Sequence, residues 1–332
     1  MKIRISILLI VIAFSIKAQH SYYSSLNQNL LSVNPAFAGT NGKLRAQVVS
    51  GATGFPKYSG KNVQSYYAGV DFLGKKYSGF GLSFNTSYAG QVLRTTQADF
   101  SYALHFTVRN KIKIVHAYQV SYFEYRYDRT KLNFGETDIS PYDAFAPQYT
   151  SNLPPVSYKR NVDFSSGLLA YGKRFYAGIS ILSITQPDEG IMGVSKRPMT
   201  QIYQGKYRFL DPEKFNIDVY GFVKLQEMLQ IHKDQIYTKT IRENFVQYGT
   251  YLNYKMISVH LAHRLSSIQD YNAIVSGIAI NKKGLKIGYN NRYNYATQLS
   301  GYFFNEFYLQ YAFGRNKKAD EETQDKSVKL ID

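Results

Sequence analysis

Residues 98–108 alternate without a break between two kinds of side chain. Ala98, Phe100, Tyr102, Leu104, Phe106 and Val108 fall on one face, and Asp99, Ser101, Ala103, His105 and Thr107 on the other. Successive strand residues point to opposite sides, so this period of two predicts a strand with one apolar face. About eleven residues is also what a tilted strand needs to cross a bilayer. The rhythm returns with Phe80, Leu82 and Phe84, with Phe215, Ile217 and Val219, with Ile257, Val259 and Leu261, and with Phe307, Leu309, Tyr311 and Phe313. A soluble sandwich alternates in the same way, so alternation alone leaves the setting open.

The connections discriminate. Fourteen strands are legible, at about 43–50, 63–73, 77–87, 95–108, 111–127, 161–171, 174–185, 200–210, 214–224, 244–253, 256–264, 272–280, 284–290 and 303–313. Between them, short turns (Gly74–Lys76, Arg109–Asn110, Gly172–Lys173, Asp211–Glu213, Tyr254–Lys255, Lys282–Lys283) alternate with long connections (51–62, 128–160, 186–199, 225–243, 291–302) and two of middling length, 88–94 and 265–271. Short turns on one rim and long loops on the other are the mark of a membrane barrel, and a sandwich has no reason to keep that order. The expected fold is therefore all-β, a transmembrane antiparallel β-barrel of about 14 strands over 43–313. Leu229–Lys239 could form a further strand, read here as a loop hairpin beyond the membrane, and sixteen strands remain open if a partner lies within 128–160. An even count puts both chain ends on the short-turn rim, which faces the periplasm in such barrels.

The flanks fit that setting. Lys2 and Arg4, then the apolar run Ile5–Phe14, then Ala18 read as a secretory signal peptide over residues 1–18, too short to span a bilayer. Gln19, not Cys, follows the expected cut, which argues against a lipid anchor. Residues 19–42 are either a periplasmic arm or a segment folded into the lumen, and 314–332 form a charged tail. A mean hydropathy of −0.32 is too polar for a helical membrane protein but suits strands that are apolar on alternate residues. The 31 Tyr and 21 Phe supply rings for the membrane interfaces. With no Cys, disulfides and thiolate chemistry are excluded.

Removal of Lys2, Arg4 and Lys17 with the signal leaves about +14 of the formal charge of +17. No nucleic-acid-binding signature accompanies that charge, and secretion removes the chain from nucleic acid; a basic lumen and rims facing anionic lipid or glycan are the better reading. No reaction is legible. His260 and His263 point to opposite faces of a strand and cannot share a metal. Ser101 and His105 share a face but stand about 13 Å apart along it. Gly79 and Gly81 fall within a strand with no helix after them, so they bind no phosphate; their smallness lets the strand bend or another segment approach. Asp138, Asp143, Asp188 and Glu189 lie in long loops without calcium-loop spacing. No catalytic residue, metal site or cofactor is expected.

The opening of the mature chain, Tyr22-Tyr23-Ser24 and then Asn29 to Thr40, resembles the start of the PorP/SprF proteins of the type IX secretion and gliding-motility machinery of Bacteroidetes. The run Asn34-Pro35-Ala36-Phe37-Ala38-Gly39 carries the family's first motif intact, and Phe175–Ser180, Gly288-Tyr289 and Asn305-Glu306 are similar to later passages. The chain departs from the family at Asn305, where His is frequent, at Tyr254-Lys255, and in its tail after Phe313. The resemblance covers nearly the whole mature chain and implies an outer-membrane barrel, not an enzyme. Its implied partner is a large secreted surface protein, often a gliding adhesin, engaged through its C-terminal sorting domain, with other translocon or gliding components as further partners. The alternative from the residues alone is a passive or substrate-specific diffusion porin. Aromatic and proline content marks the long connection 128–160 as the candidate partner-binding surface, with Tyr142, Phe145, Tyr149, Pro154, Pro155 and Tyr158 as the contact residues, or else as a lid over the barrel mouth. Asn34, Pro35 and Phe37 are the residues expected to anchor 19–42 in or against the barrel.

Overall fold

The computed structural model describes residues 28–313 apart from 43, 55–62, 91, 109–111, 129–155, 191–194, 211–214, 228–243, 268–271 and 296–301. Fourteen strands follow one another: β1 (Arg45–Gly54), β2 (Val63–Leu73), β3 (Ser78–Ala89), β4 (Leu93–Val108), β5 (Ile112–Asp128), β6 (Val156–Tyr171) and β7 (Phe175–Leu182). The second half comprises β8 (Met199–Arg208), β9 (Phe215–Glu227), β10 (Phe245–Tyr254), β11 (Ile257–Ser266), β12 (Ala273–Lys282), β13 (Leu285–Asn294) and β14 (Tyr302–Ala312). Every strand pairs antiparallel with its neighbours in sequence, and β1 pairs with β14 from Arg45↔Ala312 to Gly54↔Phe303, closing the barrel. Closure satisfies the edges that an open sheet would expose to lipid, where no water can replace the missing hydrogen bonds.

The expected count of fourteen is the count observed. With β9 paired directly to β10 and β5 to β6, the barrel closes on fourteen strands and not sixteen; Leu229–Lys239 and 129–155 lie outside the described residues. The ends differ from expectation in an informative way. β6 starts at Val156, not near 161, because its outward residues there are Tyr158 and Arg160, whose polarity hides the alternation. β3 and β4 both run further than expected, so their connection shrinks to residues 90–92, with Gly90 in the left-handed region.

The two faces divide as the pattern requires. Outward, Val48, Leu82, Phe100, Phe106, Phe164, Leu168, Leu261 and Phe307 are exposed, Leu82 by 61% and Phe307 by 63%. An apolar surface that encircles the molecule would not stay soluble in water and is the belt a bilayer covers. Inward, Asp71, Asp99, Ser101, Gln119, Ser165, Asp218, Gln247 and Asn290 are buried. No helix among the described residues is long and apolar enough to cross a membrane; the strands do so.

Candidate functional site

Polar side chains buried in a lumen need partners, and one set comes from the chain's own beginning. Residues 28–40 lie inside the barrel, with Asn34 and Ala36 fully enclosed. A single helical turn, Leu30–Val33, leads into a tighter turn, Pro35–Phe37. Asn34 is extended, as the residue before a proline must be, and its side-chain oxygen accepts from the Ala36 amide at 2.9 Å. Pro35 fixes the first position of the turn, where its missing N–H costs nothing. Ala38, Thr40 and Gly42 then donate back to Pro35, Phe37 and Gly39, with Gly39 and Gly42 at positive φ.

This segment lies in a trough floored by small inward residues. Ala103 and Ala117 are fully buried beneath it, and Leu31, Phe37 and Ala38 pack with them and with Val115 and Leu169 into one apolar cluster. A Cβ on Gly79 would collide with the Ala38 carbonyl oxygen, and one on Gly167 with the Asn34 side-chain oxygen. The Asn34 amide nitrogen donates to the carbonyls of Leu168 and Ile179, at 3.2 Å each, on neighbouring strands β6 and β7. Ser180 Oγ donates to Val33 O at 2.7 Å, and His105 Nε2 donates to Ala38 O at 2.8 Å. Phe37 meets Tyr176 edge to face, with ring centroids 5.3 Å apart. His105 is thus a docking residue; Ser101 donates instead to Gln119, and the two do not meet.

A buried ion pair locks the lower end of the segment. Arg45 Nε lies 2.7 Å from Asp71 Oδ1; the other Asp71 oxygen accepts from the Gly39 amide, and Arg45 Nη2 donates to Phe37 O. Removing one member strands the other charge, so Asp71→Ala is expected to weaken docking by about 3–5 kcal/mol. Limited proteolysis should then cut within 28–42 while the barrel survives; protection equal to wild type would confine the pair to the β1–β2 ladder.

Described residues of a second segment enter the lumen from the long-loop side. The connection 183–198 between β7 and β8 turns inward at Ser183, which has positive φ. Thr185 bonds Asp163 through its hydroxyl and its amide, and Asn161 donates to Asp188 O at 2.7 Å. Glu189 and Arg197 form a buried pair at 2.9 Å; Tyr125 donates to Glu189, and the Arg197 guanidinium covers Phe123 at 3.7 Å from the ring centre. Burial pushes the Glu189 carboxyl above its ordinary value, against the pull of Arg197 and Tyr125. Burial also works to raise Asp188, but Lys159 and the amides of Ser195 and Gly190 outweigh it and hold that carboxyl low.

The opposite wall is lined by packed rings and cations. Tyr251 stacks on His260 at 4.3 Å, Tyr220 bonds His260 and Gln247, and Gln247 accepts twice from Arg264. His263 points the other way, outward, between Tyr248 and Tyr295. Of the candidate contact residues, Tyr142, Phe145, Tyr149, Pro154 and Pro155 lie outside the described residues. Tyr158 does not belong to a loop: it stands on β6, outward and 51% exposed. The sequence pattern does not reveal the inward turn at Ser183 or the burial of Glu189 and Arg197; the polar residues Asn161, Asp163, Ser165 and Ser183 are the signal for it.

Among solved structures the barrel resembles the toluene transporter TbuX of Ralstonia pickettii, with a TM-score of 0.50 and 10% identity over 86% of this chain and 93% of that one. The monoaromatic hydrocarbon channel CymD is similar, with a TM-score of 0.50 and 8% identity over 87% and 93% of the two chains. At such identity these likenesses show the fold alone. No curated protein matches the chain. The model of a protein family described as "Type IX secretion system membrane protein PorP/SprF" matches residues 15–313, which span the lumenal segment, its Asn34–Gly39 turn and the whole barrel. The chain belongs to the PorP/SprF family of type IX secretion system membrane proteins.

Proposed function

We propose that this outer-membrane barrel serves a large surface protein exported by the type IX machinery, supporting its export or its attachment at the cell surface through the partner's C-terminal sorting domain. The observation that supports this over diffusion is that the barrel's own chain enters its lumen from opposite ends, as residues 28–40 and as the described residues around Glu189 and Arg197, each fixed by buried hydrogen bonds and an ion pair. A pore that works by diffusion needs a continuous aqueous path. A barrel closed by its own chain instead offers a rigid, membrane-held platform, and its contacts with a partner fall on loops and rims. The connection 129–155, carrying Tyr142, Phe145, Tyr149, Pro154 and Pro155, is the part of that platform with the composition of a binding surface.

Two measurements test the reading. The purified barrel in planar bilayers should show no steady conductance, and it should co-purify from membranes with a secreted protein that ends in a sorting domain. Deleting the barrel gene should strand that protein inside the cell or release it to the medium. Steady conductance together with unchanged display of every type IX substrate would favour the diffusion porin and end the proposal.

A further inference from the structure

Four side chains form a row across β3–β6 on the outward face near the long-loop rim. Tyr88, Arg94, Arg126 and Tyr158 are successive cross-strand partners. They share the parity of the lipid-facing residues below them, which are Ala98 and Phe100 on β4, Tyr122 and Val120 on β5, and Val162 and Phe164 on β6. Arg160 follows one step lower on β6, opposite Glu124. The guanidiniums lean over the tyrosines: Arg94 over Tyr88 at 5.7 Å, Arg126 over Tyr158 at 5.7 Å and Arg160 over Tyr158 at 5.8 Å.

We propose that this row binds the phosphate of an outer-leaflet lipid headgroup. Like charges directly opposite on neighbouring strands repel, and Arg94 and Arg126 are such a pair. Carboxylates answer only part of that charge. Glu124 takes Arg160 at 2.9 Å and Asp128 reaches Arg126 at 3.5 Å, but Arg94 makes no ion pair among the described residues. Its Nε, shielded from solvent, has no hydrogen-bond partner there either. An unanswered guanidinium on the strand next to a second one offers N–H donors to a phosphate, whose oxygens accept paired N–H bonds.

Height selects the lipid over other anions. From Val108 up to Ala98 the outward face of β4 is apolar for about 33 Å of strand, or about 25 Å along the axis at a 40° tilt, the thickness of the apolar band of such barrels. Arg160 and then the Arg94–Arg126 pair lie about 5–10 Å above that edge, in the headgroup layer. A ligand whose phosphate rests there has the apolar belt directly below for its acyl chains. The far wall lacks the feature: Val246, Leu265 and Ile274 face outward at the long-loop end of β10–β12, beside Tyr248, His263 and Tyr295.

The test uses the full-length mature protein in detergent, with monophosphorylated lipid A and its dephosphorylated form as probes, read by native mass spectrometry. Wild type should prefer the phosphorylated lipid by about tenfold or more, the effect of at least one charge-assisted hydrogen bond, and Arg94→Gln with Arg126→Gln should lose the preference. Lys255→Gln, on the opposite rim, should keep it. Heat-modifiable migration verifies folding, and Arg126→Gln alone substitutes if the double variant does not fold. Equal binding of both lipids by wild type, an undiminished preference in the variant, or full displacement by inorganic phosphate would overturn the proposal. So would a variant that binds lipid normally but loses its secreted partner, since the row would then be a protein interface.

Discussion

Gly79→Ala is expected to expel the amino-terminal segment from the lumen while leaving the barrel folded. The substitution is harmless to β3 itself, whose backbone at Gly79 is not among the positive-φ positions. The cost arises across the gap, because the new Cβ would strike the Ala38 carbonyl oxygen and lie within 2.7 Å of His105 Nε2. The obstacle is backbone on one side and a docking imidazole on the other, so neither can swing aside cheaply. Overpacking of this kind, with loss of the His105–Ala38 hydrogen bond, is worth about 2–4 kcal/mol. Amide hydrogens of Ala36, Phe37, Ala38 and Gly39 should therefore exchange about 30 to 1,000 times faster, while those of β4 and β5 stay protected. Conductance should rise further when the same change is combined with Glu189→Ala, which loosens the second occupant. Unaltered protection across 34–40 would mean that the turn does not depend on the close approach, and that the trough is incidental to docking.

That close approach shows how far the residues alone carried the argument. Alternation such as Ala98–Val108 depends only on chain neighbours, so strand type, strand number and the order of short and long connections were legible. Strand ends were less so, since Tyr158 and Arg160 continue β6 above the lipid, where the apolar face gives way to polar residues and the period-two signal stops. The docking site was half visible. Gly79 and Gly81 stood out as room for an approaching segment, and Asn34-Pro35 as a fixed turn, but nothing local says that one meets the other. Asn34 reaches Leu168 and Ile179 across more than 130 residues of chain, and only closure of the barrel brings them together. The inward course of the chain at Glu189 and Arg197 was illegible for the same reason: both look like solvated loop charges until the lumen encloses them.

Replacing Tyr142, Phe145 and Tyr149 together with Ser is expected to abolish co-purification of the secreted partner and its surface display, with barrel abundance unchanged. Aromatic anchors carry most of the energy of protein interfaces, and removing three should weaken binding by about 100-fold or more. Pro147, Pro154 and Pro155 in the same connection lower the entropy lost when it orders on a partner. A lid is the competing role. β5 and β6 stay paired up to Asp128↔Val156, beyond the outward Arg94–Arg126 row. Below it, Glu189 and Arg197 are packed in the lumen against Phe123 and Tyr125. Conductance separates the two roles. A variant that loses its partner and stays electrically silent has lost a grip; one that keeps its partner and begins to conduct has lost a lid, and the binding surface must then be sought on another loop.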